Sequence, residues 1–117
     1  MTQQTDPLLE PFQLKNLTIK NRVFSTSHAP SYAEDGMPKE RYQLYHEEKA
    51  KGGIGMTMFG GSSTIDIDSP ASFGQLDVSH DRVIPYFQQL AERVHKHGAA
   101  TMCQITHMGR RLSLIHI

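Results

Sequence analysis

The chain has 117 residues, enough for one small core, and its twelve Lys and Arg balance twelve Asp and Glu to zero net charge. No basic stripe is present for nucleic acid and no run of about 18 apolar residues for a membrane span. A single cysteine, Cys103, excludes an internal disulfide, so a cytoplasmic chain is expected.

Residues 1–10 read as a polar leader, with neither the cationic nor the apolar region of a secretory signal. "PFQLKNLTIKNRV" then alternates on both sides of Lys15-Asn16, which predicts a short hairpin. "RVFSTS" follows as a first strand that turns polar at its end, and Asp35-Gly36 makes a turn. Pro38 stands where a helix can begin, and "KERYQLYHEEKAK" predicts that helix, with Glu47 spaced four before Lys51. Gly52-Gly53 ends it, and the apolar run "IGMTMF" suits a parallel strand buried on both faces.

The long connection "GGSSTIDIDSPASFGQLDVSH" has the composition of a functional loop. Val83, Phe87, Leu90, Ala91 and Val94 then keep a 3.6-residue period, with Gln88, Gln89, Glu92 and Lys96 opposite. Asp81 is the expected N-cap and Gly98 the expected end, and "AATMCQIT" is a third buried strand. Strands alternating with helices predict an α/β fold with parallel pairing.

All three strands become polar at their carboxyl ends, in Ser25-Thr26-Ser27-His28-Ala29, Gly60-Gly61-Ser62-Ser63 and Gln104-Ile105-Thr106-His107. Parallel α/β folds bind ligands at that end. Gly60 and Gly61 allow close backbone approach, and the planar amide of Gln104 matches a heterocycle's imide edge.

"PFQLKNLTIKNRVFSTSHA", "KAKGGIGMTMFGG" and "VHKHGAATMCQITHMGRR" resemble the amino-terminal part of the old yellow enzyme family, in the branch of 2,4-dienoyl-CoA reductase, trimethylamine dehydrogenase and N-methylproline demethylase-like proteins. The resemblance covers about residues 8–111 and implies the N-terminal part of a (β/α)8 TIM barrel. About three strands and two helices, preceded by a hairpin, would fill residues 11–111 as a partial FMN-binding domain.

The same resemblance implies a flavin-dependent oxidoreductase with FMN bound and NAD(P)H as reductant, acting on a small-molecule substrate. Thr26, Ser27, His28 and Ala29 would pass the flavin's N5–O4 edge, mainly through backbone groups. Gly61 would lie beside the ring and Gln104 would bind its pyrimidine edge. Relatives often carry Cys or Thr where Ala29 stands, and many carry Glu where Gly60 stands. Ala29 can form no covalent bond, so the FMN would be non-covalent. The substrate-carbonyl ligands, the proton donor and the flavin-phosphate site would come from later strands. Any iron–sulfur cluster and FAD-type nucleotide domain would lie later still. By itself this chain is expected to be inactive, partly folded or oligomeric, and unable to retain FMN.

Residues 112–117, "LSLIHI", lack the residues expected after such a third strand, so a natural frame ending near Arg111 followed by a foreign tail is expected. Sequencing the source locus tests this, since a genuine stop codon after LSLIHI would contradict it.

Several plainer readings stand beside these. His28 and His107 could begin a zinc site, but no third ligand is placed for it. His46, His95 and His97 read as solvated helix residues, Cys103 as a packed thiol, and Tyr42 and Tyr45 as helix packing. Tyr32, just past the turn, reads as either a substrate-facing or an ordinary loop residue. "DIDSPASFGQLD" departs from a calcium loop at Ala71 and Pro70, and "GGIG" lacks a dinucleotide fingerprint's third glycine. Rival functions are a non-catalytic domain docking a partner through an open sheet edge, and a hydrolase barrel using His28 and His107.

Overall fold

The computed structural model describes residues 6–69 and 74–109. Five strands and two helices follow in the order β1 (Phe12–Leu14), β2 (Leu17–Ile19), β3 (Phe24–Ser25), α1 (Glu40–Lys51), β4 (Met56–Thr64), α2 (Ile84–His95) and β5 (Ala100–Thr106). The leader's remaining residues, the centre of the acidic loop and the expected break after Arg111 lie outside the described residues.

The hairpin forms where alternation places it, with Phe12 opposite Ile19 and Leu14 opposite Leu17. Lys15 takes a positive φ of 50° in its turn. Ile19 is buried, and the neighbouring Asn21 donates from Nδ2 to the Gly53 carbonyl at 2.7 Å, tying the hairpin to the end of α1.

β3, β4 and β5 make one parallel sheet in that order, with α1 crossing from β3 to β4 and α2 from β4 to β5. The helices pack on the sheet and on each other. Tyr42, Ala50, Phe59, Leu76, Leu90, Val94 and Ala99 form the core between them. The opposite sheet face is open: Phe24 and Met102 on it are each 40% exposed. Met56 shares that face but is buried, since it sits on the middle strand between Phe24 and Ala100.

The two helices differ in what they turn inward. α2 has the expected apolar stripe, with Leu90 and Val94 buried and Val83 buried just before it. Its start differs, because residues Asp81–Val83 form a 3-10 turn and the helix proper begins at Ile84 without a side-chain cap. Asp81 therefore does not cap, and Pro85 sits in the first turn, where its missing N–H costs nothing.

α1 buries polar residues instead: Gln43, His46 and Glu47 lie inside with Tyr42 and Ala50. His46, expected to be solvated, is 1% exposed because it stands one turn after buried Tyr42 on the same face. Its Nδ1 bonds the Thr57 hydroxyl at 2.8 Å, while Nε2 is buried without a partner among the described residues. Glu47 does not pair with Lys51, which bonds Glu48 at 3.2 Å. Glu47 faces α2, meeting Lys96 at 2.7 Å, His97 at 3.1 Å and Arg93 at 3.2 Å.

Candidate functional site

The site begins with a break in the β4–β5 ladder. Phe59 pairs with Cys103 and Ser63 with Ile105, so Gly60, Gly61 and Ser62 bulge out opposite Gln104 alone. All three bulged residues have positive φ, at 104°, 52° and 76°. Glycine takes that conformation freely, while Ser62 is held in it against its preference, at a cost on the order of 1–3 kcal/mol. Strain of this kind persists where surrounding bonds over-determine the backbone.

Those bonds come from two side chains. The Gly60 N–H donates to the buried Tyr42 hydroxyl at 2.8 Å, and desolvation pushes that phenol's pKa up to about 12. The Gly61 N–H donates to Ser27 Oγ at 2.6 Å, and Ser27 Oγ in turn donates to the Phe59 carbonyl at 3.3 Å. The Ser27 hydroxyl is thus engaged within the protein, latching the turn after β3 to the β4 bulge. The approach is close: a Cβ on Gly61 would stand 2.3 Å from the His28 carbonyl carbon and oxygen and 2.4 Å from the Ala29 nitrogen.

Together these segments line an open hollow of about 360 Å³, formed by Ser27, His28, Ala29, Gly61, Ser62, Gln75, Gln104 and Met108. Five of the six residues expected from the sequence therefore meet at one place. Thr26 is the exception: it is exposed beside the hollow, and its carbonyl accepts from Ser25 Oγ at 3.5 Å. Larger hollows exist elsewhere, but those between α1 and α2 and beneath the hairpin lie away from the carboxyl strand ends.

Gln75 is a lining residue that sequence reading passed over. Thr64 N–H donates to the Leu76 carbonyl and Val78 N–H to the Thr64 carbonyl, each at 2.9 Å, so this stretch lies alongside the end of β4. Leu76 is fully buried in the core and anchors it, leaving Gln75 at the hollow, 4% exposed. The available signal was a lone Leu interrupting a polar loop, one residue after the amide.

The two histidines expected near the site have separate partners. His28 Nε2 hydrogen-bonds the Tyr45 hydroxyl, and His107 Nε2 meets Asp68 at 2.7 Å. Among the described residues no three His, Cys, Asp or Glu side chains gather as a metal centre. Cys103 is half-buried, and desolvation raises its thiol pKa. Tyr45 packs edge-on against Tyr32, which lies under the Arg41 guanidinium at 4.1 Å. No described helix is long and apolar enough to cross a membrane.

Replacing Ser27 by Ala should leave the Gly61 N–H without its acceptor, a loss of about 1–3 kcal/mol for a desolvated donor. The expected result is at least tenfold faster hydrogen exchange at the Gly61 amide. Unchanged exchange would show that the latch is dispensable.

The arrangement is that of the first strand–helix steps of an α/β barrel, with a ligand hollow at the carboxyl ends of its strands. The chain belongs to the NADH:flavin oxidoreductase / NADH oxidase family, whose model matches residues 7–115. It is 58% identical over 110 residues to the multifunctional alkene reductase/demethylase OYE of Caballeronia cordobensis, covering 94% of this chain and 16% of that one. To the probable N-methylproline demethylase of Rhizobium meliloti it is 50% identical over 106 residues, covering 91% and 16%. A solved 2-naphthoyl-CoA reductase complex matches with TM-score 0.82 and 26% identity, over 89% of this chain and 16% of that one. A morphinone reductase matches at TM-score 0.78 and 23% identity, over 91% and 28%, a likeness of fold alone. The chain thus spans about one sixth of the length of these curated relatives and is the N-terminal portion of such a barrel.

Proposed function

We propose that these residues form the first part of the FMN site in a larger oxidoreductase, the parent protein, which passes hydride between NAD(P)H and a small molecule. The observation that carries the reading is the β4 bulge standing opposite Gln104, latched to the turn after β3 by Ser27. A flat ring needs a wall free of side chains and an edge with paired donor and acceptor. Gly61 supplies the wall, and the Gln104 amide supplies the edge. Ala29 offers no nucleophile, so the cofactor is held non-covalently.

When bound, FMN accepts and donates hydride at one face of its ring. This chain's residues bind and orient it: Ser27 holds the bulge, Gln104 grips the edge, and His28 and Ala29 contribute backbone groups. Substrate ligands and the proton donor come from residues beyond this span. The names of the relatives point to an activated alkene or an N-methyl amine as the reaction partner. Zero net charge favours a small molecule over nucleic acid, and the lone thiol favours the cytoplasm.

The test is the purified parent protein. It should bind FMN, and NAD(P)H should bleach the bound flavin's absorbance. Gln104→Leu should weaken FMN binding about tenfold, as loss of a paired amide predicts. A parent that binds no flavin, or a Gln104→Leu form with unaltered affinity, would refute the assignment.

A further inference from the structure

Two half-buried residues of α1, Tyr45 and Lys49, reach across to β3 and to the turn that follows it. Tyr45 lies one helical turn before Lys49. Lys49 Nζ sits 4.5 Å from the centroid of the Tyr45 ring and donates to Ser25 Oγ at 2.8 Å. The Tyr45 ring is fixed edge-on between Tyr32 at 5.6 Å and His46 at 5.1 Å. Its hydroxyl meets His28 Nε2, and His28 is one of the residues that line the hollow. Ser25 and His28 flank the Ser27 latch on either side.

A neutral imidazole carries its proton on one nitrogen only, and the partner of the other nitrogen decides which. A phenol donates readily, and an ammonium over its ring face polarises it further toward that role. With Tyr45 as donor, Nε2 is the acceptor and the proton resides on Nδ1. We propose that Tyr45 is a positioning residue that fixes the tautomer and orientation of His28, so that His28 offers the cofactor hollow an N–H donor. The group it serves is a carbonyl-type acceptor on whatever ring occupies the hollow, and in that respect the inference rests on the FMN reading above. Lys49 reinforces the arrangement by holding both the Tyr45 ring and Ser25.

The test uses the flavin-free parent protein labelled with 15N at histidine, so that nitrogen shifts report each ring's tautomer. Wild-type His28 should show a protonated Nδ1 and a bare Nε2. Tyr45→Phe keeps the ring packing and removes only the hydroxyl, and it should move the proton to Nε2 or mix the two forms. The same variant should weaken FMN binding about tenfold, the loss of one well-placed donor, and Lys49→Met should weaken it less. A wild-type Nε2–H tautomer, or a tautomer unmoved in Tyr45→Phe, would overturn the proposal. A shifted tautomer with unaltered FMN affinity would overturn the claim that the donor serves the hollow. A parent that binds no FMN would overturn the cofactor reading and that target together, while the nitrogen shifts would still decide the Tyr45–His28 link.

Discussion

Gly61→Val in the parent protein should yield a folded but colourless preparation, with FMN affinity lowered at least a hundredfold. The clash is with backbone: the first added carbon would stand 2.3 Å from the His28 carbonyl group and 2.4 Å from the Ala29 nitrogen. Those atoms cannot rotate aside as a flexible side chain would. The φ of 52° adds strain, since a β-branched residue in the left-handed region is disfavoured by more than alanine. Relief requires the turn after β3 to move away from the bulge, which breaks the Ser27 latch and opens the hollow. In catalysis a misplacement of about 1 Å can cost about a hundredfold in rate, and a rigid ring held between two backbone walls should be as sensitive. The measurement is flavin content after gel filtration together with FMN titration. A yellow Gly61→Val protein of native affinity would mean that the bulge does not shape the cofactor site. Gly60, whose added carbon would lie 2.6 Å from the Gln104 carbonyl oxygen, should behave similarly.

Acid should loosen the α1–β4 layer well before it protonates ordinary carboxylates. Burial, helped by the nearby positive charge of Lys49, pushes the His46 pKa from 6.5 down to about 3. Below pH 6.5 the unfolded chain takes up a proton there that the folded chain refuses, so stability falls as pH falls. At 1.36 kcal/mol per pH unit this amounts to roughly 3 kcal/mol by pH 4. Glu47 adds a second, lower window. Its hydrogen bonds to Lys96, then His97 and Arg93, hold its pKa at about 2 instead of 4.5, so its contribution is intact above pH 4.5 and drains away toward pH 2. Because Lys96 and Arg93 are partly exposed, solvent screening limits that contribution to the order of 2 kcal/mol. Hydrogen exchange at α1 and β4 amides, corrected for intrinsic rate, should show protection declining from pH 6.5 to 4. His46→Gln keeps a polar partner for Thr57 and cannot titrate, so it should flatten that slope. An equal slope in both proteins would remove His46 as the cause.

Much of the architecture could be read from residue order. Alternation around Lys15-Asn16 marked the hairpin, and the 3.6-residue period from Val83 to Val94 marked α2. The move from apolar to polar along each strand marked the carboxyl ends, where five of the six named residues line one hollow. What stayed hidden was of two kinds. The three-residue bulge at Gly60, Gly61 and Ser62 depends on register against β5, and register is a property of two strands, not of either alone. The polar interior of α1 was hidden because His, Gln and Glu are exposed on most helices. Only the side chains opposite them, Thr57 on β4 and Arg93 and Lys96 on α2, show why they are inside. Gln75 was missed for a related reason, since its place depends on where Leu76 finds the core.

The inward stripe of α1 also bears on how this protein can change. A helix that holds β3 and the turn after it through a phenol and an ammonium group contributes less to cohesion than one lined with leucine. Exchanging Tyr45 or Lys49 for aliphatic residues should therefore harden the scaffold while slackening the turn after β3. Selection for heat resistance alone would drift toward just those exchanges, and on the proposed FMN reading would end with a sturdier barrel that no longer holds its pigment.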